Sequence, residues 1–92
     1  IIALGYADGF LRSGSNRAAV YWQNHPCPIV GRVSMDLIAV DLTDCPSSLP
    51  HAGNWLEVIG PNQSADSLAA SLGTIGYEVL TSLSHRAERI IL

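Results

Sequence analysis

Apolar residues along this 92-residue chain fall in short runs rich in β-branched and aromatic side chains, separated by clusters of Gly, Pro, Ser and Asn. Runs of that length and composition read as strands, and the clusters between them as turns. Residues 1–4, Ile-Ile-Ala-Leu, predict a short buried strand. A loop follows over 5–17, its tip marked by Gly14 among Ser13, Ser15 and Asn16. Residues 18–23, with Val20, Tyr21 and Trp22, predict a second strand, and Asn24-His25-Pro26 the turn that ends it. Pro28 then opens the β-favouring run Ile29-Val30-Gly31-Arg32-Val33. A glycine inside such a run marks a bulge or a close approach of backbone or ligand.

Residues 36–42 alternate, with Leu37, Ala39 and Asp41 on one face and Ile38, Val40 and Leu42 on the other. Both faces are therefore largely apolar, which suits a strand inside a closed barrel or under a partner. Residues 43–53 read as a loop and 54–60, with Trp55, Leu56, Val58 and Ile59, as a further strand. The period then changes. Ser64 predicts an N-cap, Asp66 falls in a first turn where the helix dipole favours an acid, and Leu68, Ala69 and Leu72 recur at helical spacing before Gly73. Thr74 reads as the cap of another turn or two carrying Tyr77, Val79, Leu80 and Leu83, and 89–92 return to strand. The sum is a mainly β domain: a small closed or partly open β-barrel of five to six strands, with one or two short helices near the C-terminus.

Composition adds an expectation about surroundings. Hydrophobic residues make up 48%, ordinary for a globular chain, but charged residues only 14%, against about 25% in typical soluble proteins. A small free-standing domain wears more charge, so part of this surface is expected to lie against a partner or another domain. Residues 1–92 read as one domain, and the apolar ends without an initiator Met suggest a piece of a longer protein cut at its domain boundaries. The net charge of −3 and scattered arginines argue against a nucleic-acid surface, which draws on clustered cations. No apolar run approaches the roughly 20 residues of a membrane helix, so no membrane partner and a cytoplasmic location are expected.

Two segments interleave glycines with groups suited to a small anionic ligand: Gly5-Tyr6-Ala7-Asp8-Gly9 and Gly31-Arg32-Val33-Ser34-Met35-Asp36. Tyr6 sits between glycines in a context that presents a phenol, and Arg12 and Arg32 are candidate carboxylate clamps because a guanidinium binds planar anions through paired hydrogen bonds. Each also has a plain structural reading: a packing tyrosine in a glycine turn, surface ion pairs, Met35 as core filler and Asp36 as a solvating strand-edge group. Five arginines and no lysine are present, so any Schiff-base amine must come from elsewhere. Cys27 and Cys45 read as two unpaired structural thiols. His25 near Cys27 does not make a metal site, since a closed zinc site needs four ligands and no second pair is offered.

Taken in order, Gly5 through Arg12, then Pro28-Ile29-Val30-Gly31-Arg32-Val33-Ser34-Met35-Asp36, then Thr74-Ile75-Gly76-Tyr77-Glu78-Val79-Leu80-Thr81, then Arg86-Ala87-Glu88-Arg89, the sequence resembles the carboxy-terminal domain of bacterial alanine racemases. That resemblance implies a homodimeric, pyridoxal-phosphate-dependent isomerase. Each of its sites joins the amino-terminal α/β barrel of one subunit to the β domain of the other. It would interconvert L- and D-alanine and so supply D-alanine for peptidoglycan. It implies no catalytic base in this chain, the lysine and tyrosine bases being expected upstream of Ile1. By motif position, Tyr6 with Arg12 and Arg32 would line the passage through which substrate arrives. The Met35 backbone amide would contact the substrate carboxylate, Asp36 would support it, and Tyr77 would reach the cofactor phosphate. The alternatives are a serine or broad-specificity racemase of the same architecture, and a non-catalytic β-barrel interaction module.

Overall fold

The computed structural model describes residues 1–45, 50–84 and 86–88. At its centre is a tight hairpin. β1 (Ala19–Trp22) and β2 (His25–Val30) pair antiparallel, with Trp22 opposite His25 and Ala19 opposite Pro28. Gln23 and Asn24 alone turn the chain, Gln23 at φ +56°, a left-handed conformation of the kind that two-residue hairpins use. His25 and Pro26, expected in the turn, are instead the first residues of β2.

The two prolines of β2 leave its pairing with β1 intact and shorten its pairing on the other side. Ile29 N–H donates to Ala18 O at 2.9 Å, toward β1, while Pro28 O accepts from Asp41 N–H at 2.9 Å, on the side of β3 (Ala39–Val40). Backbone groups alternate in direction along a strand, so Pro26 and Pro28 both point their missing donors away from β1. Pro28 returns no bond to Asp41, and β3 is only two residues long where the 36–42 pattern predicted a full strand. Side chains alternate as well: Cys27 and Ile29 are buried, and Pro26, Pro28 and Val30 exposed.

Other expected strands shrink to single bridges. Ile2 exchanges both backbone bonds with Ile38, but Ile1 is 84% exposed, so 1–4 is not a buried strand. In 54–60, Glu57 exchanges bonds of 2.8 Å each way with Tyr21. The Glu57 carboxylate then accepts the Asn62 and Gln63 N–H groups at 2.7 and 3.1 Å, curling the chain away from the sheet. The sheet is thus open, three-stranded and ordered β1-β2-β3, not the five- to six-stranded barrel expected. The strand expected over 89–92, and residues 46–49 of the expected loop, lie outside the described residues.

The helices match their sequence signals more closely. In α1 (Ala65–Leu72) the Ser64 hydroxyl accepts the Ser67 N–H at 3.0 Å, and Gly73 ends the helix in the left-handed region. α2 spans Gly76–Thr81 with Ile75, not Thr74, in the N-cap position; the Thr74 hydroxyl instead donates to Glu78 Oε1 at 2.6 Å. Leu68, Ala69 and Leu72 of α1 and Val79 of α2 close the core over Phe10, Ala18, Val20, Cys27, Ile29, Val33 and Ile38. Ser13 Oγ fastens the preceding loop to this helix by donating to Leu72 O at 2.6 Å.

Candidate functional site

The loop 5–17 folds as two 3-10 turns, Tyr6–Asp8 and Arg12–Gly14, and both are stitched to the segment that follows β2. Tyr6 N–H donates to Ser34 O at 3.0 Å and Ala7 N–H to Met35 O at 3.1 Å. Gly5 makes this contact feasible. A Cβ there would overlap the carbonyls of both Ser34 and Met35, so only glycine lets the two backbones approach so closely.

A second seam lies ten residues along the loop. Asn16 Oδ1 accepts the Gly31 N–H at 2.7 Å, Asn16 N–H donates to Gly31 O at 3.2 Å, and Ser15 Oγ accepts the Val33 N–H at 2.8 Å. Arg32 is therefore held by backbone bonds on either side while its own side chain stays exposed. The glycine-serine tip read as a loop marker is what grips the Arg32 segment.

Four of the sequence-predicted residues gather at the first seam. Tyr6 is 43% and Met35 51% exposed, and the Arg12 guanidinium lies 5.9 Å from the centre of the Tyr6 ring, within cation–π range. Met35 O is engaged by Ala7, whereas Met35 N–H donates no hydrogen bond among the described residues. Asp36 is ion-paired with Arg86, whose Nη2 is 2.7 Å from Asp36 Oδ1. Arg32 shares the same segment without an ion-pair partner among the described residues. Tyr77, on α2, is 77% exposed, and its side chain has no bond to the Tyr6–Met35 cluster among the described residues. The end of α2 does meet that loop: Ser84 N–H donates to Asp8 O at 3.3 Å, and Gly9 lies against the Ser82 carbonyl.

Arg86 is the residue that sequence reasoning did not place in the site, and Asp8, read there only as part of the Gly5–Gly9 segment, is one of its two partners. Arg86 Nε lies 3.4 Å from Asp8 Oδ1, and Asp8 Oδ2 accepts the Gly5 N–H at 3.0 Å. One guanidinium therefore links the carboxylates of both loops, and Asp36, then Asp8, hold its pKa above the ordinary value. The only available signal was the Arg86-Ala87-Glu88-Arg89 motif, which carries no hint of its distant partners. Among the described residues no three metal-binding side chains cluster, and no helix is long and apolar enough to cross a membrane.

What the site offers chemically is an exposed phenol and guanidinium beside an unengaged backbone N–H, with a charged brace behind, suited to a small carboxylate. The family profile "Alanine racemase, C-terminal domain" matches residues 1–91. This chain belongs to the alanine racemase C-terminal domain family. An alanine racemase of Cereibacter sphaeroides is 53% identical over 88 residues, covering 96% of this chain and 24% of the relative, and one of Rickettsia bellii is 48% identical over 89 residues, covering 97% and 22%. In three dimensions the domain superposes on the alanine racemase of Bartonella henselae, solved with covalently bound pyridoxal phosphate. The TM-score is 0.93 at 47% identity, covering 97% of this chain and 26% of that one. The biosynthetic enzyme of Pseudomonas aeruginosa gives a TM-score of 0.84 at 38% identity, covering 96% and 24%. The chain thus spans about a quarter of the length of these relatives.

Proposed function

We propose that this domain is the carboxy-terminal part of a pyridoxal-phosphate-dependent alanine racemase that interconverts L- and D-alanine in the cytoplasm and supplies D-alanine for peptidoglycan. The observation that carries the reading is 53% identity, over 96% of the chain, to a protein named alanine racemase. The remaining three quarters of such a protein would comprise an α/β barrel with the lysine and tyrosine bases. In a homodimer this domain would complete the site of the second subunit. The full-length protein would also pair the extended pieces around Ile2 and Glu57 into a barrel of five to six strands.

Pyridoxal phosphate, bound on a lysine, acts as an electron sink that makes the α-proton of an amino acid removable. This chain contains no lysine, so its part is binding and access. Met35 N–H donates to the substrate carboxylate, and Asp36, braced by Arg86, keeps that segment in place. Tyr6, Arg12 and Arg32 line the passage and draw in an anionic end. Tyr77 donates its phenol to the cofactor phosphate and narrows the passage, excluding bulky side chains. A substrate and cofactor held still in this way lose less freedom at the reacting step.

The test is an oxidase-coupled assay for D-alanine, run on the full-length protein supplied with pyridoxal phosphate, L-alanine and, in parallel, L-serine. Conversion of alanine in preference to serine is expected. A folded, cofactor-loaded protein that converts neither would overturn the proposal in favour of an interaction module.

A further inference from the structure

Two thiols that the proposed racemisation leaves unused meet at the base of the site segment. Cys27, on β2, is fully buried and Cys45 is partly exposed. Extending the β2–β3 register, in which Ile29 faces Val40, would set Leu42 opposite Cys27. The chain turns there instead. Asp41 Oδ1 accepts the Thr43 N–H at 2.8 Å, and Cys45 N–H donates to Leu42 O at 3.0 Å. This folds Cys45 back until its Sγ lies 3.6 Å from that of Cys27. A disulfide bond is about 2.05 Å long, so closure needs a shift of under about 2 Å. The turn at 43–45 can supply it, because β2 is fixed by β1.

We propose that Cys27 and Cys45 form a reversible redox site, a dithiol that low-molecular-weight disulfides oxidise to an intramolecular disulfide clamping the base of the segment that carries Arg32, Met35 and Asp36. Cys45, the accessible thiol, loses its proton to solvent and attacks one sulfur of the small disulfide. That S–S bond breaks, one thiolate departs and is protonated, and Cys45 carries a mixed disulfide. Cys27 then gives up its proton and displaces the second thiolate, forming the Cys27–Cys45 bond. Two protein thiols are oxidised and one small disulfide is reduced to two thiols. Burial sets the order: it pushes the Cys27 thiol up to about 11, so Cys27 keeps its proton near neutrality and reacts second.

The experiment uses the full-length protein carrying this domain, equilibrated at graded ratios of oxidised to reduced glutathione, alkylated and digested with trypsin. Arg32 lies between the two cysteines, so cleavage parts peptide 18–32 from peptide 33–86 unless a disulfide joins them. The expected result is a joined pair that accumulates with oxidised glutathione and is split by dithiothreitol. Cys27→Ala should stop at the glutathione adduct on Cys45, and Cys45→Ala should leave Cys27 unmodified in the folded protein. If burying alanine in place of Cys27 prevents folding, the Cys45→Ala variant and the wild-type peptide map decide alone. A stable Cys45 adduct in the wild type without the joined pair, or two free thiols across the whole glutathione range, would overturn the proposal.

Discussion

Arg86 sets its Nη2 2.7 Å from Asp36 Oδ1, so a residue beyond the last described helix fixes the carboxylate that follows Met35. Its Nε lies 3.4 Å from Asp8, which in turn holds Gly5 N–H. The three side chains brace the seam between the two site loops. Arg86 and Asp36 are each about half exposed, so the brace positions the segment more than it stabilises the fold.

Arg86→Ala should therefore leave the melting temperature near the wild-type value while lowering kcat/KM for alanine in the full-length protein by about 10- to 100-fold, the scale of loss that misplacing a binding group produces. The change should fall mainly on KM. Arg86→Lys, one point charge for two carboxylates, should recover only part of it. Steady-state kinetics with and without added salt check this, since salt should weaken the wild type more than Arg86→Ala, which has already lost the brace.

Gly5→Ala drives a methyl group into the Ser34 and Met35 carbonyls. Backbone cannot swing aside as a flexible side chain can, so the expected cost is about 1–3 kcal/mol, the range for overpacked sites. Denaturant unfolding measures it. A midpoint equal to the wild-type value would show that the loops do not meet as closely as described.

At α1, Ser64→Ala removes the acceptor of the Ser67 N–H and should cost about 1 kcal/mol, with Ser64→Gly costing less. Leu68→Ala, in the middle of the core, should cost about 2–5 kcal/mol. Chemical denaturation of the three variants should rank Leu68→Ala as the most destabilised, then Ser64→Ala, then Ser64→Gly.

Two groups give opposite pH limbs. Cys27 is pushed up from 9.0 to about 11, chiefly by burial and then by the Cys45 thiol. The unfolded chain ionises first, so this contribution to stability is lost as pH rises from about 9 to about 11, and the gap between wild type and Cys27→Ala should narrow over that interval. Asp41 is held below its ordinary value by hydrogen bonds from the Thr43 hydroxyl and N–H. Its contribution is present above the unfolded-state value and lost as pH falls through the folded one, so Thr43→Val should flatten the acid limb. Unfolding midpoints across pH read both.

Features that depend only on neighbours along the chain are legible without the fold. Ser64, the spacing of Leu68, Ala69 and Leu72, and Gly73 marked α1 to the residue, because caps and helical periods act within a few positions. The run around Val20 to Trp22 marked β1, and the two glycine-rich segments, read with the motifs after them, pointed to the family whose profile matches residues 1–91; the roles proposed for Tyr6, Arg12, Arg32, Met35, Asp36 and Tyr77 come from that resemblance. Features that depend on distant partners emerge only once the chain is folded. Pro26 and Pro28 proved compatible with β2 only because their missing donors face away from β1, and the same fact cut β3 to two residues. Glu57 curled a strand-like run into a turn by capturing the amides of Asn62 and Gln63. The ion pairs of Arg86 and the meeting of Cys27 with Cys45 join residues far apart in sequence. No local period encodes them, because Coulomb attraction and packing act through space rather than along the chain.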